Sequence, residues 1–451
     1  MRHEPIQFIH QLAFEDLPKG VVDQARLCLL DLLGVALAGR QTQLSRIASD
    51  HAVEFFGAAG ANASRLLFDG RVASPPGAGL GAAMTIDSVD GHDGHSQTKG
   101  HVGVTVLPAL LALADLQKTM GTREFLTCLV LGYEIGTRAG ISLHASACDY
   151  HTSGAWNALA AATLAARVLA LDAQQTREAL GIAEYHGPRS QMMRCIDHPT
   201  MVKDGSGWGC MAGLSAGFLA RRGFTGAPAI TMESEGAGTY WSDLGERWCI
   251  LEQYVKPYPV CRWAHPAIDA ALEIKRSHGF APEQIRAIRV TSFHQATKLA
   301  HAHPATTEEA QYSLMFSVAA ALAFGEISLE AISGDGLSHP EVLRLSHAIQ
   351  AEEGPEFTAL FPNERWANVG IELADGHRIE SGPTRAHGDP DRPFGAAAIR
   401  RKFHRFAESA CDSRQASRLE ECVDALGTGS GSIAPLLDLV MNEIRVVQAH
   451  H

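Results

Sequence analysis

Gly205-Ser206-Gly207-Trp208-Gly209-Cys210-Met211-Ala212-Gly213-Leu214-Ser215-Ala216-Gly217 carries a glycine at every fourth position from Gly205. On a helix of about 3.6 residues per turn, that spacing lays a flat seam along one face, against which a second helix packs closely. The earlier segments share the preference for small residues. Val21 to Ala38 is apolar at helical spacing and stops at Gly39. Val104 to Leu116 follows the same period, with Pro108 expected near the first turn. Thr122 to Gly140, with Glu124 placed for its first turn, Ala155 to Leu171 and Gln174 to Tyr185 complete the set. Helices this rich in alanine and glycine predict a tightly packed bundle rather than a sheet flanked by helices.

The pattern changes after about Ala267. Ile285-Arg286-Ala287-Ile288-Arg289-Val290-Thr291 alternates with period two, as a half-exposed strand does. Trp366 to Leu373, the Asp375-Gly376 turn and His377 to Glu380 read as a β-hairpin. Helical segments near Gln311–Phe324 and Pro340–Gln350 lie between, and helical patterns resume at Ala396–Ser409 and Ile433–Val447 after the loop Gly382–Pro393. The chain is therefore expected to be mostly α with an α+β second domain: a large helical domain over 1–267 and 395–451, interrupted by a smaller α+β domain over 268–394. There is no internal repeat or low-complexity tract.

A chain of 451 residues, 46% hydrophobic and 20% charged, is ordinary for a soluble globular protein with two domains or one elaborate one. Its formal charge of −12 argues against nucleic acid or an anionic membrane as the main partner. A site for an acidic substrate must then be built from locally placed Lys, Arg and His. The nine cysteines are scattered with no C-x-x-C pair, which suits free, mostly buried thiols in a reducing compartment. Met1-Arg2-His3-Glu4-Pro5 leads into no apolar signal segment, and no apolar run reaches membrane-spanning length, so a cytoplasmic protein is expected.

The densest chemistry lies in Asp90-Gly91-His92-Asp93-Gly94-His95, followed by His101. Imidazole and carboxylate are the usual proton-transfer groups, and glycine permits close backbone approach to a ligand. The bland alternative is a polar surface loop. A third reading is a metal site drawn from the same five residues, Asp90, His92, Asp93, His95 and His101, which would give a metal-dependent hydrolase; no strong ligand spacing supports it. Lys203 stands just before the glycine-seamed helix, where free N–H groups and the positive end of the dipole favour an anion; the alternative is a surface lysine. Lys256 lies in the extended Tyr254-Val255-Lys256-Pro257-Tyr258-Pro259, with Arg262 and His265 following. These read as carboxylate binders on a strip that also links the two domains. Tyr150 and His151 precede Thr152-Ser153-Gly154, a natural helix start, so capping and substrate contact are equally served there. Trp156, Trp208 and Trp263 are expected in the core.

Taken together, the segments resemble the MmgE/PrpD family, which includes 2-methylcitrate dehydratase, cis-aconitate decarboxylase and iminodisuccinate epimerase. The resemblance is carried by Leu30-Asp31-Leu32-Leu33-Gly34-Val35-Ala36-Leu37-Ala38-Gly39, by Ser74-Pro75-Pro76 through Asp90, and by His101 through Leu110. It continues in Gly132-Tyr133-Glu134-Ile135, Tyr150-His151-Thr152-Ser153-Gly154, Lys203-Asp204-Gly205 to Gly226, Lys256-Pro257-Tyr258-Pro259-Val260-Cys261 with His265-Pro266-Ala267, and Ala310-Gln311-Tyr312-Ser313-Leu314. It implies a large helical domain, a smaller α+β lid, a homodimer and no cofactor. It places Asp90 and Asp93 on the family's acidic loop, His101 on its site histidine and Lys203 on an active-site lysine. His92 stands where the dehydratases usually carry a further acid, and Met315-Phe316-Ser317 stands where the family often has a tyrosine.

The resemblance implies a cofactor-independent enzyme acting on a small di- or tricarboxylate, with dehydration as the leading chemistry. His101, or Asp93 as its rival, removes a proton next to a carboxylate, while Asp90 or His95 protonates the departing hydroxyl. Lys203, Lys256 and Arg262 hold carboxylates and stabilise the enolate-like intermediate. Decarboxylation and epimerisation share that intermediate and stay open as alternatives.

Overall fold

The computed structural model describes residues 4–299 and 301–444. Its chain is mostly helical with a small α+β portion and divides into two compact units. One takes the chain up to Met192, Asp204–Gln253 and everything from Gly395; the other takes Met193–Lys203 and Tyr254–Phe394.

The first unit is all but wholly helical. Lys19–Gly39, Gly103–Gln117, Thr122–Ser146, Ser153–Val168, Ala173–His186 and Ser206–Arg221 occupy the segments read as helices. Most are buried on nearly every face, so they show little amphipathic signature. Ser206–Arg221 packs along Ser153–Val168, and the glycine seam decides how closely. A Cβ on Gly209 would lie 2.4 Å from the Gly154 carbonyl oxygen, and one on Gly213 would lie 2.2 Å from that of Ala158. Real side chains do not tolerate such distances, so only glycine lets the two backbones meet there. Pro75–Asp87 packs on the same helix, and Ala396–Ala407 returns from the far end of the sequence to cover Lys19–Gly39.

Several boundaries differ from the sequence reading. Pro108 sits inside Gly103–Gln117, past the first turn, where it removes the bond to the Val104 carbonyl. Thr122–Ser146 runs well beyond Gly140, because Gly140 packs tightly against Thr98 and Trp156 instead of ending the helix. The last described helix is Ala434–Val440; the part of the expected Ile433–Val447 helix from 445 on lies outside the described residues. Trp156 and Trp263 are core residues, but Trp208 is 45% exposed.

The second unit is built on a five-stranded sheet. Ile285–Ser292 lies between Ile349–Glu353, which it pairs in parallel, and Trp366–Leu373, which it pairs antiparallel. Arg378–Glu380 and Thr384–Arg385 both pair with Trp366–Leu373. The Asp375-Gly376 turn forms, with Gly376 at φ 88° and the Leu373 N–H bonded to the His377 carbonyl at 2.8 Å. His265–His278 and Leu314–Phe324 pack together, and His265–His278 also covers Trp366–Leu373. Helix Pro340–His347 stops short of the expected Gln350 because Ile349–Glu353 is a strand that the sequence concealed. The alternation of Ile285–Ser292 also slips: Ile285 and Ile288 are both buried, and the register shifts between Ile285 and Ala287.

Among the described residues no disulfide is formed, and seven of the nine cysteines are buried. Among the described residues, no helix is long and apolar enough to cross a membrane.

Candidate active site

The segment from Asp90 to His101 follows the Pro75–Asp87 helix into the interior of the first unit. Asp90, His92, Asp93 and His95 are each at most 3% exposed, and His101 is half-buried. The surface-loop reading is therefore wrong for this stretch. Asp90 holds φ at 55°, a conformation that costs a non-glycine residue about 1–3 kcal/mol and persists only where its surroundings enforce it. Lys402 supplies part of that enforcement: its buried ammonium donates to the Gly91 carbonyl at 2.6 Å and lies 2.7 Å from Asp31.

His101 is held through its main chain and its ring. Its main-chain N–H donates to Ser153 Oγ at 2.9 Å, and its carbonyl accepts from Asn157 Nδ2 at 2.6 Å. Its ring Nδ1 donates to the main-chain carbonyl of Asp93 at 2.5 Å. The ring of His92 lies 4.5 Å away, centroid to centroid, at 66°. Asp90, His92 and His101 bring one ligand atom each within 4.8 Å of one another, two imidazoles and a carboxylate. This arrangement can pass a proton, and it is also a donor set that suits a divalent transition cation.

Asp93 and His95 face other partners. The Asp93 carboxylate accepts from the Gly103 N–H at 3.2 Å and from the Tyr133 hydroxyl. Burial pushes its pKa up to about 7. Its side chain thus lies at the start of the Gly103–Gln117 helix, and its carbonyl, not its carboxylate, reaches His101. A Cβ on Gly103 would fall 2.2 Å from the Tyr133 hydroxyl, so the glycines here admit the protein's own side chains. His95 Nε2 donates to Glu252 at 3.1 Å, and its Nδ1 accepts from the Thr98 N–H at 3.4 Å. Burial opposes ionisation of Glu252, but His95 and Arg247 bring it down to about 2. Neither Asp93 nor His95 joins the group formed by Asp90, His92 and His101.

Tyr150 donates its hydroxyl to the Lys99 carbonyl, and the Lys99 ammonium sits 4.5 Å above the tyrosine ring. The His151 main-chain N–H donates to His144 Nε2 at 3.2 Å, and the two imidazoles stack 6.5 Å apart. Burial and then the Lys99 charge lower His144 to about 4; burial and then Arg189 lower His151.

In the second unit, Lys203 is 1% exposed and Lys256 fully buried, so neither is a surface lysine. Lys203 adopts φ 49°, donates to Gln311 Oε1 at 2.6 Å and lies 5.0 Å above the Tyr312 ring. Buried ammonium groups are costly unless partnered or used. Arg262 is tied to its own unit: it donates to Asp389 Oδ1 at 2.7 Å, to the His387 carbonyl at 2.7 Å and to His265 Nδ1 at 3.2 Å. His265 Nε2 donates to the Val260 carbonyl at 3.1 Å. The fork of Arg262 that was expected to grip a substrate carboxylate grips Asp389.

Sequence reasoning missed Asp204, Ser153, Asn157 and Tyr133 as contributors to the segment around His101, and Asp389 as the partner of Arg262. Asp31 carried a usable signal, a lone acid within Leu29-Leu30-Asp31-Leu32-Leu33. Asp204 carried another, an acid directly after a candidate lysine. Asp204 is 2% exposed, and burial, then Asp87, raise it to about 7.

The MmgE/PrpD N-terminal domain matches residues 6–244, and the MmgE/PrpD C-terminal domain matches 258–428. The chain belongs to the MmgE/PrpD family, and it is a lyase-type enzyme. It is similar to the cis-aconitate decarboxylase-like protein oryM of Aspergillus oryzae, at 25% identity over 98% of this chain and 97% of that protein. The cis-aconitate decarboxylase of Aspergillus terreus is 23% identical over 95% of this chain and 93% of its own length. That of Mus musculus is 24% identical over 88% and 84%.

Proposed function

We propose that this lyase acts on a small tricarboxylate by carbanion chemistry, and that the reaction is decarboxylation of a cis-aconitate-like acid. The observation that carries the proton-transfer role is the arrangement of His101: its Nδ1 is committed to the Asp93 carbonyl while His92 and Asp90 stand beside its ring. The names of the relatives favour decarboxylation over dehydration of a 2-methylcitrate-like acid, the leading expectation from sequence, and over epimerisation of an iminodisuccinate-like acid.

In the proposed reaction the bond between the substrate carbon and one carboxylate breaks and carbon dioxide departs. The electron pair passes into the neighbouring double bond and carboxylate. His101 in its imidazolium form then delivers a proton to carbon, and Asp90 and His92 support its charge. Lys203 and Lys256 keep the carboxylate-binding role that the family resemblance implies. His151, Tyr150 and His265 are assigned supporting roles in substrate binding, and Arg262 fixes His265. Dehydration would use the same groups, with His101 taking a proton from carbon and Asp90 assisting departure of the hydroxyl.

The test is incubation of purified protein with cis-aconitate, citrate, 2-methylcitrate and iminodisuccinate, following ultraviolet absorbance and evolved carbon dioxide. Carbon dioxide from cis-aconitate supports the proposal; turnover of 2-methylcitrate without it returns the assignment to a dehydratase. The family resemblance supports a homodimer, and the seven buried cysteines support a cytoplasmic setting.

The cluster of Asp90, His92 and His101 favours a second reading, a metal-dependent hydrolase. A histidine ligand whose other nitrogen donates to a carbonyl is the usual arrangement around bound metal. Stoichiometric zinc or manganese in the purified protein, with activity lost to chelator, would establish this reading; a metal-free preparation that turns over cis-aconitate would remove it.

A further inference from the structure

The grip on the main chain of His101 leads back to a carboxylate that the proposed reaction does not use. Ser153 Oγ accepts the His101 N–H at 2.9 Å. A hydroxyl has one hydrogen to give, and Ser153 gives it to Asp204 Oδ2. The other oxygen of Asp204 accepts the Ser153 main-chain N–H at 3.0 Å. Both carboxylate oxygens are thereby spent on one serine at the start of the Ser153–Val168 helix. Asp204 and Ser153 are 2% and 1% exposed, so water does not compete for these bonds. Gly100 makes the approach possible: a Cβ there would lie 2.3 Å from Ser153 Oγ.

We propose that Asp204 is a positioning residue for His101, acting through Ser153. Above about pH 7 Asp204 is ionised, and an ionised carboxylate is an acceptor only. It forces the serine hydrogen toward itself and keeps the oxygen lone pair turned to the His101 N–H. An amide at 204 would place N–H donors against the same hydroxyl, and the hydroxyl would then point elsewhere. The His101 backbone would lose its fixed acceptor, and the Nδ1 bond to the Asp93 carbonyl would lose its alignment. The hold on His101 stands on geometry alone; its catalytic consequence rests on the reading that His101 transfers the proton.

The experiment compares wild type with Asp204→Asn, Ser153→Ala and Ser153→Thr by nitrogen NMR of protein labelled at histidine, with His101→Gln identifying the His101 signal. Wild type is expected to show His101 as the Nδ1–H tautomer. Asp204→Asn and Ser153→Ala are both expected to shift it toward a mixture of tautomers, and Ser153→Thr, which keeps the hydroxyl, to restore it. On cis-aconitate, the first two lower kcat about 100-fold, as a displaced catalytic group does, with KM changed by less than about threefold. If Asp204→Asn does not fold, Ser153→Ala alone decides. A folded Ser153→Ala or Asp204→Asn with an unchanged His101 signal overturns the proposal. Failure of wild type to turn over any of the acids overturns the proposed function instead and leaves the histidine spectrum to decide this one.

Discussion

His101 Nδ1 donates to the main-chain carbonyl of Asp93 at 2.5 Å, while the Asp93 carboxylate is held by Tyr133 and the Gly103 N–H. A carbonyl only accepts, so the ring proton resides on Nδ1, and Nε2 is the basic nitrogen of neutral His101. Of the two residues named as rival bases, Asp93 thus orients the ring of His101 through its carbonyl.

Asp93→Asn keeps the carbonyl that orients His101 and alters only the carboxylate. It is expected to lower kcat less than about tenfold, whereas His101→Gln lowers it by about 10²–10⁴-fold, the usual range for a lost general acid or base. Steady-state kinetics on the turned-over acid checks this. A larger loss in Asp93→Asn than in His101→Gln would make Asp93 the base.

Gly213→Ala puts a methyl group 2.2 Å from the Ala158 carbonyl oxygen and forces two buried helices apart. It is expected to destabilise the protein by about 1–3 kcal/mol or more, the usual range for overpacking. Gly238→Ala, where a Cβ meets nothing within 4 Å, is expected to be neutral or slightly stabilising. Thermal melts of the two variants side by side provide the comparison.

The helical half of the fold was legible because its signals are local: a small-residue seam, an apolar period, a glycine stop. Ile349–Glu353 was not, because its pairing with Ile285–Ser292 comes from residues far apart in sequence, and Gln350, Glu352 and Glu353 read as solvent-facing polar positions. The site divides in the same way. Asp90, His92 and His101 announced themselves by residue type and proximity, and the structure gathers them. Asp204 reaches His101 through Ser153, and Lys402 reaches Asp31 and Gly91 from the C-terminal region. Both are relations between distant segments that no local pattern contains. Arg262 had the right chemistry for a carboxylate, but the sequence did not show that Asp389 would supply it.

Lys402→Met leaves the buried carboxylate of Asp31 without its ammonium partner and frees the Gly91 carbonyl. Breaking one side of a buried pair costs about 3–5 kcal/mol. Denaturant unfolding is expected to show a loss of that size, and the double variant Asp31→Leu with Lys402→Met is expected to recover much of it. No loss in the single variant would show that the pair does not hold the segment.

Glu134 is raised to about 7 by burial, although Arg138 lies 3.5 Å away and the Ile250 N–H donates to it. The folded state therefore holds this proton more tightly than the unfolded chain does. The resulting stability is complete below about pH 4.5 and is lost as pH rises through about 7. Glu134→Gln does not titrate, so its stability relative to wild type is expected to improve between pH 4.5 and 8, by about 3 kcal/mol at most. Melting temperatures across that range test the sign; a deficit that grows with pH would contradict it.

Proton transfer by His101 is tested most directly by carbon dioxide release from cis-aconitate by wild type and His101→Gln, with both shown to be folded. Wild type is expected to release carbon dioxide steadily, and the variant at least about 100-fold more slowly. Equal release by the two proteins would contradict that role.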